Sequence, residues 1–247
     1  MSSNPSDGLR WVEVAAVSSP TPRTRSILFG GPELAGFTLK PDVLAPHVGL
    51  VVPSPYGSGM APPRIYSVRR FDAAAPTLEV TIALHGGAGI ASAWAARARP
   101  GDRVGISVAG GLPMKPASRY VVAGDHTAVG AIAHLLDRLP GTASAEVFIE
   151  VPDPAERQDL PSAAATAITW FHRDETSPPE ASRLPEAVMA ATAATPDGLA
   201  LWAGAEHHIA TRIRTHVRRT LRLPREAHSV VAYWKASASQ GSYRHYD

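Results

Sequence analysis

The first 116 residues of the chain alternate between apolar and polar positions in short runs. Such alternation is typical of half-buried β-strands, whose successive side chains point to opposite faces. Glycine and proline separate the runs, and an alanine-rich stretch at residues 89–97 favours one short helix. The predicted strands cover residues 9–17, 23–29, 47–53, 63–70, 77–84 and 103–108. Several short strands with one helix indicate a small antiparallel β-barrel.

After residue 116 the apolar runs alternate with segments of helical periodicity. In one of them Val129, Ile132 and Leu136 recur every three or four positions, as on the buried face of a helix. Strands are predicted at residues 120–124, 145–151, 168–171, 199–203 and 229–233, and helices at 127–139, 184–193 and 206–221. Strands that alternate with helices indicate a doubly wound parallel sheet. We therefore predict a barrel domain, residues 1–116, and an α/β domain, residues 117–247.

Two stretches of the predicted barrel carry residues suited to a ligand. Residues 64–69 place a cation, a ring and a hydroxyl on one strand, and alternation puts Arg64 and Tyr66 on one face and Ser67 on the other. Residues 85–94 form a glycine-rich turn that leads into a helix, whose first N–H groups can receive an anion. A planar aromatic ligand that carries a diphosphate would use all of these features, and FAD is such a ligand.

The composition narrows the chemistry further. The 247 residues include no cysteine, which excludes disulfides, cysteine-ligated iron–sulfur clusters and thiol catalysis within this chain. An electron-transfer role therefore requires a bound organic cofactor or a redox partner. The net charge of +2 gives no reason to expect nucleic acid, and the histidines show no clean metal-ligand spacing. Because there is no long apolar run and no signal-peptide pattern, we expect a cytoplasmic protein without a membrane segment.

A series of short motifs follows in order along most of the chain. They are Arg-Ile-Tyr-Ser-Val-Arg at residues 64–69, His-Gly and then Gly-Ile-Ala-Ser-Ala-Trp-Ala within 85–95, Pro-Gly-Asp at 100–102, Ala-Gly-Asp-His-Thr-Ala at 123–128, Trp-Ala-Gly at 202–204 and Tyr-Trp at 233–234. They resemble R-x-Y-[ST]-x-R, H-G…G-P-A-S-x-W-A, P-G-D, A-G-D-E-T-A, W-x-A-G-E and G-Y-W of the siderophore-interacting protein family. These proteins are ferric-siderophore reductases among the ferredoxin-reductase-like flavoproteins. The resemblance implies an FAD-binding barrel followed by an NAD(P)H-binding-like α/β domain.

The resemblance also implies roles for individual residues. Arg64 would hold the FAD diphosphate, Tyr66 would stack on the isoalloxazine ring, and Ser67 would hydrogen-bond near its N5 atom. The remaining cofactor contacts would come from Ile65, His85, Gly86, Gly89, Ile90, Ala91, Ser92, Asp125 and Thr127. Lys235, the basic residue after the Tyr-Trp pair, would be the catalytic residue that binds substrate, together with a tail that contains Tyr243, Arg244, His245 and Tyr246.

Some positions depart from the family pattern. Ile90 replaces a proline, and His126 and Ala205 replace glutamates, although Glu206 follows. Gly49 stands where many members carry a lysine, a cation that suits an anionic siderophore. The expected activity is an FAD-dependent reductase that passes electrons from NADPH, NADH or an electron-donor protein to a ferric siderophore. The alternatives are an FAD-dependent biosynthetic enzyme that acts on an organic substrate and a non-catalytic flavin-binding protein.

Two further features allow more than one interpretation. Asp125 and Thr127 are good N-caps for the helix predicted at residues 127–139, so they can serve the helix instead of a nucleotide. The helix predicted at residues 206–221 and the residues after it carry an arginine cluster, Arg212, Arg214, Arg218, Arg219, Arg222 and Arg225. These arginines can form a solvated face, or they can bind the 2′-phosphate of NADPH. Nucleic acid is not expected, since no basic surface with interleaved aromatic residues accompanies them.

Overall fold

The computed structural model describes residues 8–54, 59–85, 89–174, 176–194, 197–236 and 238. The chain divides into two compact units, one up to Gly111 and one from Leu112 onward. Among the described residues, no helix is both long and apolar enough to cross a membrane.

The first unit is a closed antiparallel barrel of six strands in the order β1-β2-β5-β4-β3-β6. The strands are β1 Arg10–Thr21, β2 Thr24–Gly30, β3 His47–Val51, β4 Arg64–Asp72, β5 Thr77–Ala83 and β6 Arg103–Ile106, and the helix α1 spans Ile90–Ala95. The barrel closes where β1 pairs with β6. This architecture confirms the predicted antiparallel barrel.

The apolar–polar pattern determines which side of each strand faces the interior of the barrel. In β5, for example, Leu78, Val80 and Ile82 are fully buried, while the residues between them are half-exposed. Each such buried aliphatic side chain contributes about 2 kcal/mol of transfer free energy. Helix α1 adds Trp94 and Ala95 to the same hydrophobic cluster. The barrel core therefore holds β4 and α1, the two elements with the candidate ligand residues.

The second unit is a parallel sheet of five strands in the order β11-β10-β7-β8-β9. The strands are β7 Arg119–Asp125, β8 Ser144–Val151, β9 Ala165–His172, β10 Leu199–Glu206 and β11 His228–Trp234, and the helices are α2 Val129–Arg138, α3 Leu184–Ala191 and α4 His207–Thr215. The strand order reverses between β7 and β10. In doubly wound sheets, ligands bind outside the carboxyl ends of the strands at such a switch point.

The segment predicted as one helix at residues 206–221 differs from the prediction. It is α-helical in α4 and continues as a π-helical turn over His216–Leu221. The chain offers no glycine to end this helix, so Arg222 adopts the left-handed conformation with a φ of 52°. The wide turn that results brings Leu223 into the hydrophobic cluster of the sheet.

Candidate functional site

The outward and inward faces of β4 carry different candidate residues. Val68 is fully buried, and Tyr66 packs partly buried against the barrel core, whereas Ile65, which precedes Tyr66 and points to the other face, is 43% exposed. This pattern confirms that Tyr66 and Val68 share the inward face. Burial raises the pKa of Tyr66 to about 12, and the positive charge of Arg64 opposes this shift. Tyr66 is therefore a neutral ring at ordinary pH, as stacking on a planar ligand requires.

Arg64 begins β4, opposite Leu50 of β3. Its guanidinium Nη1 lies 3.2 Å from the carbonyl oxygen of Pro63 and 3.4 Å from that of Pro62. Within the described part of the chain, these carbonyls are its hydrogen-bond partners, and no carboxylate neutralises it. The two carbonyls are weak acceptors at these distances, so most of the donor capacity of the guanidinium remains for a phosphate.

A second group of candidate residues lies at the start of α1. The buried Ser92 hydroxyl accepts a hydrogen bond from the His85 backbone N–H at 3.3 Å. A Cβ atom on Gly89 would come within 2.7 Å of His85 Cε1, so the His85 ring occupies the space that a side chain at position 89 would need. Gly89 is also the N-cap of α1, and no side chain of the described residues caps the first N–H groups of this helix, so they can receive an anion.

The remaining candidates on this helix have simple positions. Ile90 is the first residue of α1, the position at which proline is favoured, so replacing the family's proline leaves the helix start intact. Ala91 is buried in the barrel core. Gly86 lies outside the described residues, as do Gly87 and Ala88.

Gly49 is buried, and the side chains nearest to it belong to Ser107 and Pro63. Gly49 pairs with the exposed Ile65 across β3 and β4, and its N–H donates to Ser107 Oγ at 2.7 Å. A Cβ atom on Gly49 would lie 3.0 Å from that oxygen. The chain therefore has a hydroxyl, a glycine and an apolar side chain where many family members have a lysine.

In the second unit, Asp125 ends β7 at the switch point and is only 4% exposed. Its Oδ1 accepts from the Thr127 N–H at 3.0 Å and from the Thr127 hydroxyl at 2.5 Å. Its Oδ2 accepts from the Glu206 N–H at 2.8 Å and from the Trp234 indole N–H at 2.9 Å. Burial raises the pKa of Asp125, and these hydrogen bonds oppose the shift. The four donors match the acceptor capacity of a carboxylate.

Glu206 ends β10 beside Asp125 and is 2% exposed. It caps α4, because its Oε2 accepts from the His208 N–H, and its Oε1 accepts from the Ala236 N–H at 3.2 Å. The strand pairing slips at this point, so that Glu206 lies opposite Trp234 and Tyr233 is the extra residue of a bulge. The sequence motifs pointed to the regions of Asp125 and Glu206 separately. They did not indicate that both carboxylates bind the same C-terminal segment, residues 234–236.

Lys235, the candidate catalytic residue, follows Trp234 and is exposed. Its carbonyl oxygen accepts a hydrogen bond from the Ala238 N–H at 3.1 Å. The tail residues Tyr243, Arg244, His245 and Tyr246 lie outside the described residues.

The arginine cluster does not lie at the ligand edge of the sheet. Arg212 pairs with Glu186 of α3, and the buried Arg214 donates to the Val230 carbonyl oxygen at 3.0 Å. The charges of Arg225 and Arg218 act on His228, the first residue of β11, where burial is the main cause of a lowered pKa. Because α4 runs back from the carboxyl end of β10, its last turn reaches the amino edge of the sheet. The contact of this cluster with the NADPH 2′-phosphate stays a prediction, beside the alternative that these arginines form a solvated face.

The barrel residues fit FAD. Arg64 supplies a cation without a carboxylate partner among the described residues, and Tyr66 supplies a neutral ring on the same strand. The first turn of α1, together with the glycine at position 89, offers backbone N–H groups to a diphosphate. An antiparallel barrel with these residues, followed by a five-stranded parallel sheet, defines a ferredoxin-reductase-like flavoprotein.

Comparisons with known proteins identify the family. Residues 117–237 match the model of the siderophore-interacting protein family, and residues 55–111 match its siderophore-interacting FAD-binding domain. A siderophore utilization protein from T. fusca is 33% identical with a TM-score of 0.82, and each chain covers 94% of the other. The siderophore-interacting protein SipS from Aeromonas hydrophila is 29% identical with a TM-score of 0.78, over 94% of this chain and 93% of that one. The chain belongs to the siderophore-interacting protein family and is an FAD-dependent oxidoreductase.

One relative of this chain is named as a reductase. Ferric vibriobactin reductase ViuB of Vibrio cholerae is 28% identical over 186 residues, which are 73% of this chain and 67% of the relative.

Proposed function

We infer that the protein is an FAD-dependent reductase that delivers electrons to Fe(III) held in a siderophore. The observation that carries this inference is the pair of Arg64 and Tyr66 on β4, in a domain that matches the siderophore-interacting FAD-binding type. Arg64 is a cation without a carboxylate partner among the described residues, and Tyr66 is a neutral ring. The names of the relatives ViuB and SipS support an iron–siderophore substrate.

The chain's own residues would bind and orient the cofactor. Arg64 would hold the diphosphate through charge-assisted hydrogen bonds, and Tyr66 would present its ring to the isoalloxazine. Ser67, His85, Gly86, Gly89 and the α1 start, with Ile90, Ala91 and Ser92, would complete the contacts. When FAD is bound, it supplies the redox chemistry, since it accepts two electrons together and releases them singly.

Reduction of the iron explains how such a protein releases its cargo. Siderophores hold Fe(III) mainly through hard oxygen ligands, and the softer Fe(II) is held less tightly by them. Each Fe(III) takes up one electron to become Fe(II), so no proton transfer by a side chain is needed at the iron. The protein's task is therefore to position the iron chelate, and we propose that the exposed cation of Lys235 does this for an anionic chelate.

We propose NADPH or NADH as the electron donor, with a redox protein as the alternative donor. Arg214 contacts Val230, and the charges of Arg218 and Arg225 act on His228 at the amino end of β11, so we propose that they give NADPH no advantage. We therefore expect Arg218→Ala to leave the ratio of kcat/KM for NADPH and NADH unchanged. A ratio that falls toward NADH in this variant would show that the cluster binds the 2′-phosphate after all.

A second candidate function is supported by the residue at position 49. In place of the lysine that many family members carry, this chain has the buried Gly49 beside the exposed Ile65, which suits an uncharged organic molecule better than an anionic chelate. The candidate is an FAD-dependent biosynthetic enzyme that oxidises or reduces an organic substrate.

A steady-state assay separates the two candidates. FAD-loaded protein is mixed anaerobically with NADPH or NADH and a ferric chelate, and Fe(II) is trapped by a coloured ligand. A reductase produces Fe(II) in proportion to the nicotinamide oxidised, two Fe(II) for each hydride transferred. Bound FAD that the nicotinamide reduces but that yields no Fe(II) would refute the iron-reductase function and leave the organic substrate as the candidate.

A further inference from the structure

Three motifs that lie far apart in the sequence meet at one point of the parallel sheet. Asp125 ends β7, Glu206 ends β10 and Trp234 ends β11. The indole N–H of Trp234 donates to Asp125 Oδ2 at 2.9 Å, and the Ala236 N–H donates to Glu206 Oε1 at 3.2 Å. The Asp125 carboxylate also binds the backbone of Glu206, since the Glu206 N–H donates to Asp125 Oδ2 at 2.8 Å. Both carboxylates therefore bind the segment 234–236, one on each side of Lys235.

Lys235 itself is fixed in its backbone but not in its side chain. The residues before and after it are anchored by Asp125 and Glu206, and its own carbonyl oxygen accepts from the Ala238 N–H at 3.1 Å. Its side chain is exposed at the carboxyl edge of the sheet. A binding residue with a fixed backbone loses less conformational entropy when its ligand arrives.

The switch point is occupied by the chain itself. In doubly wound sheets a dinucleotide diphosphate lies here against a glycine-rich turn. In this chain, β7 ends with one glycine, Gly124, and the buried Asp125, and β10 contributes the buried Glu206. All four acceptor positions of Asp125 are filled by protein donors. The two buried carboxylates at this point therefore bind N–H donors of the protein's own C-terminal segment.

We propose that Asp125 and Glu206 are positioning residues, which clamp the segment 234–236 and so hold Lys235 in place to bind an anionic iron chelate. This proposal deepens the proposed function and rests on the role given there to Lys235. Asp125 and Thr127 then serve the clamp and the helix start, and not the cofactor.

The clamp itself can be tested without any activity measurement. Trypsin cuts after lysine, and the Lys235–Ala236 bond is accessible to it only when the segment leaves Glu206. We expect Trp234→Phe, which removes the indole donor and keeps an aromatic ring, to raise the cleavage rate at this bond about tenfold, as followed by mass spectrometry of the FAD-loaded protein. Trp11→Phe is the matched control, because Trp11 is 36% exposed and Trp234 37%. Equal cleavage rates at this bond in wild type and Trp234→Phe would refute the clamp.

The functional part is tested by a double-mutant cycle of Trp234→Phe and Lys235→Ala. The probes are ferric EDTA, which is anionic, and the neutral complex of Fe(III) with three acetohydroxamates. We expect each single variant to raise KM for ferric EDTA about tenfold with kcat and FAD occupancy unchanged, and the double variant to be no worse than Lys235→Ala. The neutral complex should show no KM change in any of them.

The outcomes distinguish the clamp from the function on which it rests. Additive effects in the cycle, or equal effects on the neutral complex, would mean that Trp234 acts on the fold and not through Lys235, which overturns the proposal. If Lys235→Ala leaves both KM values unchanged, the substrate role of Lys235 fails, even where trypsin confirms that the clamp exists.

Discussion

Replacing Arg64 by alanine is expected to weaken FAD binding without unfolding the barrel. The structure gives Arg64 weak contacts to two backbone carbonyls and, within the described chain, no ion pair that the fold would lose. A fully exposed ion pair would contribute less than about 1 kcal/mol. Arg64 is half-buried, however, and a charge-assisted contact to phosphate contributes about 2 kcal/mol. The dissociation constant of FAD should therefore rise about thirtyfold.

The assay is a titration of the apoprotein with FAD, followed by the quenching of flavin fluorescence, alongside thermal unfolding of each apoprotein. Arg70→Ala is the matched control, since Arg70 is exposed on the same strand opposite Glu79. Arg64→Lys keeps the charge but loses the bidentate geometry, so its affinity should fall between wild type and Arg64→Ala. Unchanged FAD affinity in Arg64→Ala would refute this reasoning. An equal loss of FAD affinity in Arg64→Ala and in Arg70→Ala would refute it as well.

Other predictions follow from single contacts. Tyr66 should ionise at about pH 12, since burial raises its pKa. Because the folded state favours the neutral phenol, the stability that Tyr66 contributes below pH 10.0 is lost as the pH rises through about 12. A phenolate absorbance titration in which every tyrosine ionises near pH 10.0 would contradict this. Gly89→Ala should lower the unfolding free energy by about 1–3 kcal/mol in urea, because the new methyl group displaces the His85 ring, and an unchanged midpoint would show that the ring moves freely. Asp125→Ala should cost about 3 kcal/mol, since it leaves buried donors without an acceptor. Burial raises the Asp125 pKa, so wild type should lose stability as pH rises through that folded pKa, and Asp125→Asn should abolish this slope.

The sequence predicts the barrel and the sheet because each strand has a buried face that the apolar pattern records. Leu78, Val80 and Ile82 of β5 show period two, and the same period puts Tyr66 and Val68 together on the inward face of β4. The glycine-rich turn followed by an alanine-rich segment also identified the start of α1, because a helix start depends on residues that are neighbours in the sequence.

Long-range contacts could not be predicted in the same way. The hydrogen bond between Asp125 and Trp234 joins residues 109 positions apart, and it depends on the bulge at Tyr233, which no periodicity records. The arginine cluster shows a different limit. The periodicity of α4 identified its buried face, but the edge of the sheet that Arg218 reaches depends on how the helix runs back along the sheet.

The central claim, that bound FAD passes electrons to iron in a siderophore, is tested most directly by counting electrons in a single turnover. Purified FAD-loaded protein is reduced anaerobically, freed of excess reductant and mixed with a ferric siderophore, while flavin absorbance and trapped Fe(II) are recorded together. We predict that the oxidised flavin spectrum returns as two Fe(II) ions form for each FAD. A flavin that stays reduced in the presence of the ferric siderophore, with no Fe(II) trapped, would contradict the claim.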